Sequence, residues 1–155
     1  MKKILLVIIS ILSFHISFSQ IIIDSLKGEL LIEHNFYRQV ANVKPLIWSE
    51  MLSEKAKEQA TLIAKNPNNY PHNLPYGMNI YKSSNISDAS SIVDYWAIEQ
   101  RYFDGNAESI KNKKFPRYAQ IIWQQTRAVG CAIDSTKGGV YIIVCLYNPK
   151  LQINK

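Results

Sequence analysis

The chain is 155 residues long, carries a formal net charge of +6 and contains only two cysteines. That length suits one domain with a full core. The basic residues are scattered except for Lys111, Lys113 and Lys114, a pattern that fits a solvated loop and argues against nucleic acid as a partner.

The start reads as an export signal. Lys2 and Lys3 precede an apolar run from Ile4 to Phe18, and Ser17 and Ser19 place small residues where a signal peptidase reads. Cleavage between Ser19 and Gln20 makes residues 1–19 a signal peptide and residues 20–155 a single domain. That domain has 136 residues (155 minus 19), and loss of Lys2 and Lys3 lowers the charge from +6 to +4. The alternative is an uncleaved anchor, but the apolar run is short for a span and His15 interrupts it. The expected destination is the periplasm or the outside of the cell, with no membrane span after signal removal.

Downstream, Asp24 or Ser25 is expected to cap a first helix reaching about Val40, with Leu26, Leu30 and Tyr37 on one face and Leu31 and His34 beside them. A second helix opens at Trp48-Ser49, capped by the Ser49 hydroxyl, and buries Leu52, Ala56, Ala60 and Ile63. Its alanines imply close approach to another layer, and Pro67 ends it within an asparagine-rich turn. Residues 66–76 form a polar loop holding His72, and Gly77 to Tyr81 form a short strand. A third helix from about Asp88 to Tyr102 is expected to bury Ile92, Tyr95, Trp96 and Glu99. A short fourth helix covers Tyr118 to Gln125.

The last part reads as a hairpin. Ala128 to Asp134 and Val140 to Tyr147 flank Ser135-Thr136-Lys137-Gly138-Gly139, whose glycines permit a turn. The second of these strands is apolar throughout and therefore has protein on both faces. The predicted fold is α+β, a three-layer α-β-α sandwich around a small, mainly antiparallel sheet. With the turn near Gly138, Cys131 and Cys145 lie opposite each other within disulfide reach. A bridge is favoured in an exported chain, the alternative being two free buried cysteines.

Five segments in order resemble the superfamily of cysteine-rich secretory proteins, antigen 5 and pathogenesis-related 1 proteins (CAP). His34-Asn35-Phe36-Tyr37-Arg38 is similar to its HNxxR helix. Pro45-Leu46-Ile47-Trp48 with Leu52, Ala56 and Ala60 is similar to its PLxW helix. Gly77-Met78-Asn79-Ile80 stands where the family has G-E-N-I, and Trp96 with Glu99 and Tyr102 resembles its WxxE…Y helix. Tyr118-Ala119-Gln120 through Thr126, Val129-Gly130-Cys131-Ala132 and Val144-Cys145-Leu146-Tyr147-Asn148-Pro149 resemble its closing signatures.

The resemblance implies a cleft of two histidines and two glutamates, often associated with a divalent ion. Carried across, those positions are His72, Met78, Glu99 and Arg117, so two of the four are replaced. Arg117 cannot deprotonate to bind a cation, and the Met78 thioether suits copper(I) better than zinc. No metal and no cofactor are therefore expected. Arg117 is expected to pair with Glu99 instead, the alternative being a guanidinium in water.

His34, within the structural helix motif, is expected to be satisfied by hydrogen bonds at the sheet's edge. No nucleophile stands beside an oriented base, so catalytic residues are not assigned. The expected function is a binding module whose cleft takes a lipid or another small apolar or anionic ligand, since some family members bind sterols or fatty acids. Two readings compete with it. One is a protein-interaction domain using Tyr70, Tyr76 and Tyr81, and the other a metal-dependent hydrolase.

Overall fold

A computed structural model describes residues 18–68, 70, 71, 73–86, 88–105 and 115–152. Most of the expected signal peptide, His72 and the lysine triplet lie outside the described residues. Helix α1 spans Phe18–Val40 and runs unbroken through the expected cleavage point. It starts earlier than predicted, and Asp24 and Ser25 are internal rather than capping. No proline interrupts this stretch, so nothing local halts the helix. It ends where Asn42 adopts φ 54° and the Val43 amide donates to the Arg38 carbonyl at 2.9 Å, closing the last turn.

Trp48 belongs to a two-residue strand, β1 (Ile47–Trp48), rather than to the second helix. Ser49 then caps α2 (Glu50–Lys65) as expected, its hydroxyl accepting from the Leu52 amide at 3.3 Å. Leu52, Ala56, Ala60 and Ile63 are fully buried. The small residues let this helix sit close to the sheet. A methyl at Gly130 would lie 2.4 Å from the Ser49 carbonyl oxygen and from the Ser53 amide nitrogen.

Strand β2 covers Gly77–Ser83 and α3 covers Ala89–Ala97, continued by a 3-10 turn over Ile98–Tyr102. Asp88 caps α3 by accepting from the Ser91 amide at 2.7 Å. Trp96 donates its indole proton to the Ile80 carbonyl at 3.0 Å, which fixes α3 against β2. That orientation buries Ile92, Val93, Trp96 and Ala97 but leaves Tyr95, about 100° further round the helix, 49% exposed. The prediction of a buried Tyr95 is corrected accordingly. Helix α4 spans Pro116–Ile122, shifted from the predicted Tyr118 to Gln125. Proline suits its first turn, where no intrahelical amide partner exists.

Strands β3 (Ala128–Ser135) and β4 (Tyr141–Asn148) form the predicted hairpin. The sheet order is β1-β3-β4-β2; β1 pairs parallel with β3, and the other two pairs are antiparallel. On β4, Ile142, Val144 and Leu146 join a core beneath α2, whereas Ile143, Cys145 and Tyr147 join the core beneath α1, α3 and α4. The molecule is thus a three-layer α-β-α sandwich with a mixed four-stranded sheet. Cys131 and Cys145 are directly paired across β3 and β4, with Cα atoms 4.1 Å apart, and form a disulfide. Among the described residues no helix is long and apolar enough to cross a membrane.

Candidate functional site

Glu99 lies in the 3-10 turn after α3 and is 6% exposed. A carboxylate so buried needs strong donors. The start of α4 supplies them. Arg117 Nε donates to Glu99 Oε1 at 2.6 Å, and the Arg117 and Tyr118 amides donate to Oε2 at 2.8 and 3.1 Å. Arg117 therefore turns onto the carboxylate rather than into water. Its guanidinium carbon also sits 4.9 Å from the centre of the Tyr95 ring, and Tyr95 in turn packs edge-on against Tyr81 at 5.3 Å. The Arg117 side chain stays 39% exposed. Burial favours its neutral form, but the hydrogen bonds and charge of Glu99, together with Tyr95, outweigh that and hold its pKa above the ordinary arginine value.

The site is tied to α1 by a buried polar chain. Asn79 Nδ2 donates to the Arg117 carbonyl at 3.1 Å and to the Tyr147 hydroxyl at 3.2 Å. The Tyr147 hydroxyl lies 2.8 Å from His34 Nε2, and His34 Nδ1 lies 2.7 Å from the Leu30 carbonyl. A carbonyl only accepts, so Nδ1 carries the proton and Nε2 accepts from Tyr147. Burial, reinforced by Arg38, pushes the His34 pKa down to about 4, although the bond to Leu30 opposes this. Burial raises the Tyr147 pKa. Both groups are neutral at pH 7. His34 is satisfied by hydrogen bonds, as expected, but its side-chain partner is on the central strand β4 and not at the sheet's edge.

Neighbouring residues of the same helix motif act as fasteners. Asn35 exchanges two hydrogen bonds with the Leu46 backbone, at 2.7 and 3.1 Å. The fully buried Arg38 spreads its fork over the carbonyls of Lys44, Ile121, Trp123 and Thr126 at 2.6 to 3.1 Å. Burial, with Arg127 nearby, lowers its pKa to about 10, still charged at pH 7. Arg38 thereby anchors the end of α4, whose beginning carries Arg117. Asn79 and Tyr147 were not singled out for these roles in the sequence, because nothing local marks a strand residue that bonds across a sheet face.

Of the four cleft positions, the structure brings Glu99 and Arg117 into contact. Met78 is opposite Leu146 in the β2–β4 register and packs on the core beneath α2, whereas Asn79 is opposite Cys145 on the other face. Strand alternation thus turns Met78 away from the face on which Asn79 meets Arg117. His72 lies outside the described residues. Nor do the tyrosines of the competing reading form one patch: Tyr76 packs beneath α2, with its hydroxyl 3.8 Å from Met51 Sδ, and Tyr81 packs on the opposite core. Tyr70 is exposed beneath Lys82. Among the described residues no three or more His, Cys, Asp or Glu side chains gather in a group that could hold a metal.

Residues 31–147 match the model of the cysteine-rich secretory protein family, CAP. Pathogenesis-related protein 1A of Nicotiana tabacum is 28% identical over 123 residues, covering 78% of this chain and 73% of that protein. Pathogenesis-related protein 1 of Arabidopsis thaliana is 28% identical over 117 residues, covering 76% and 72%. Among solved structures, venom allergen-like protein 4 of Schistosoma mansoni superposes with a TM-score of 0.64 at 21% identity, over 83% of this chain and 90% of that one. NaASP2 with Zn2+ superposes with a TM-score of 0.66 at 20% identity, over 81% and 80%. With the family model matching most of the chain and the same sandwich recurring in these structures, the protein belongs to the CAP family.

Proposed function

We propose that this protein is an exported, non-enzymatic binding module whose cleft is organised by the Glu99–Arg117 pair in place of a metal ion. The observation that carries the proposal is the occupancy of Glu99. Its two oxygens already accept three hydrogen bonds, one from a guanidinium that remains charged at any physiological pH. Zinc needs three or four nitrogen, oxygen or sulfur donors in near-tetrahedral array. Here the carboxylate is engaged, the neighbouring side chain is a cation, and Met78 faces the other side of the sheet. The donor set does not fit the ion.

The same engagement argues against acid–base catalysis, since three of the roughly four acceptor sites of a carboxylate are taken on a group only 6% exposed, and a general base needs a lone pair within reach of substrate. What the site offers is recognition. The exposed side of Arg117, held on Tyr95, can accept a carboxylate or phosphate bidentately, and the Tyr95 and Tyr81 rings supply apolar surface. A small apolar or anionic ligand, such as a fatty acid, suits that combination. The family is described as secretory, which together with the lysine-led apolar leader supports a cleaved signal peptide and a site of action in the periplasm or outside the cell.

A second reading, a protein-interaction domain with a vestigial cleft, is favoured by the exposed Ile32, Phe36 and Val40 along α1, a stripe at four-residue spacing. One preparation tests both. Metal analysis of the purified protein should find no stoichiometric ion, and added zinc should leave the melting temperature unchanged; a stoichiometric ion with a zinc-dependent rise rejects the metal-free site. Lipid extraction and mass spectrometry should recover a bound acyl compound that is lost in Arg117→Ala. If no small molecule is recovered, the interaction reading stands in its place.

A further inference from the structure

Away from Glu99 and Arg117, on the α2 side of the sheet, a surface depression of about 570 Å³ opens between the end of α2 and the β3–β4 turn. Its lining includes Thr61, Lys65, Asp134, Ser135, Thr136 and Lys137. We propose that this depression is a binding subsite for an anionic glycan, a polysaccharide carrying sulfate or phosphate esters.

Asp134 is the acidic residue of the wall, and its charge is already met. Oδ2 accepts from the Thr61 hydroxyl at 2.6 Å and lies 3.7 Å from Lys57 Nζ, and Oδ1 accepts from the Ser135 amide at 2.8 Å. Lys65 and Lys137 line the same wall and have no ion-pair partner among the described residues. Lys82, bound to the carbonyl of the lining residue Pro67 at 2.8 Å, adds a third positive charge at the rim. The depression therefore presents uncompensated positive charge.

Shape and hydrogen bonding then select the anion. The Thr136 hydroxyl oxygen accepts from the Val140 amide at 3.1 Å, which leaves its proton free to donate outward. In the turn, the Thr136 and Gly139 amides are spent within the hairpin, on Val140 and Thr136 respectively, but those of Lys137 and Gly138 are not. Hydroxyls, free turn amides and lysines together suit ester oxygens and sugar hydroxyls. Among the described residues no aromatic ring lines the wall, so the wall itself offers no stacking platform of the kind on which single-stranded nucleic acid relies. The volume falls within the range of ordinary small-ligand sites, and the open form lets a chain pass across.

The test is a calorimetric titration of the exported protein with a heparin-derived hexasaccharide, its desulfated form, inorganic phosphate and a hexathymidylate. The sulfated hexasaccharide should bind with an affinity that falls as salt rises. The double variant Lys65→Gln with Lys137→Gln should weaken it about tenfold and make the salt dependence shallower, with an unchanged melting temperature showing an intact fold. Arg117→Ala should bind the hexasaccharide as the parent does, which separates this subsite from the cleft. Equal binding by the double variant or by the desulfated sugar overturns the proposal. So does tighter binding of the hexathymidylate, or phosphate alone matching the hexasaccharide.

Discussion

Replacing Arg117 by alanine removes one of the three donors to a carboxylate that is 6% exposed, and leaves the two backbone amides in place. A hydrogen bond to a charged group contributes about 1.5–3 kcal/mol, and the guanidinium–ring contact about 0.5–1 kcal/mol at a partly exposed position. Because the Arg117 side chain is 39% exposed, solvent screens part of its attraction, and we expect the low end, about 2 kcal/mol in total. For a domain of this size that lowers the melting temperature by roughly 4–8 °C. Glu99→Gln keeps the shape and removes the charge, so the double variant should show a coupling of about 1 kcal/mol in a thermodynamic cycle followed by urea denaturation. Arg117→Lys should recover only part of the loss, since an ammonium lacks both the Nε donor geometry and the flat face lying on Tyr95. Additive single variants, or an Arg117→Ala protein that melts with the parent, would refute the claim that this pair organises the site.

Other expectations follow from the buried groups. The His34 pKa is about 4 in the folded chain against an ordinary 6.5, so the unfolded chain binds the proton first as pH falls. Stability is then complete above pH 6.5 and is lost between pH 6.5 and 4, by up to about 3 kcal/mol; melting curves of His34→Gln should show a flatter dependence across that window. Cys131→Ala with Cys145→Ala opens a loop set by a sequence separation of 14 and should cost about 3 kcal/mol, read as the midpoint shift in guanidinium under non-reducing conditions. Gly130→Ala places a methyl 2.4 Å from backbone atoms of Ser49 and Ser53, so α2 must lift from β3. A loss of about 3 kcal/mol is expected by denaturant titration, whereas Gly138→Ala, which meets only Thr136 Oγ1 at 3.8 Å, should change little.

Much of this molecule is legible in one dimension. The unbroken apolar run on β4 required protein on both faces of the sheet, and the equal distance of Cys131 and Cys145 from the turn placed them opposite each other. Leu52, Ala56, Ala60 and Ile63 declared the buried stripe of α2 by spacing alone. These features are local periodicities or simple symmetries, and a chain expresses them wherever it folds. The Glu99–Arg117 pair was expected on other grounds, the family resemblance that sets the two residues at neighbouring cleft positions and their opposite charge.

Other features depended on how the layers are assembled. Tyr95 has the chemistry of a core residue, but the bond from Trp96 to Ile80 fixed the rotation of α3 and left Tyr95 outside to carry the guanidinium. Met78 and Asn79 are adjacent in sequence and serve opposite faces, because strand alternation separates neighbours by half a turn. Arg38 holds three carbonyls of one distant segment, Ile121 to Thr126, besides that of nearby Lys44, and His34 meets Tyr147 across 113 residues of chain. The sequence by itself determined which residues are apolar, the order of the four helices and the closing hairpin, and that Arg117 cannot coordinate a cation. Only the tertiary structure decided which polar groups meet, because a buried hydrogen bond depends on positions that packing sets to within tenths of an ångström.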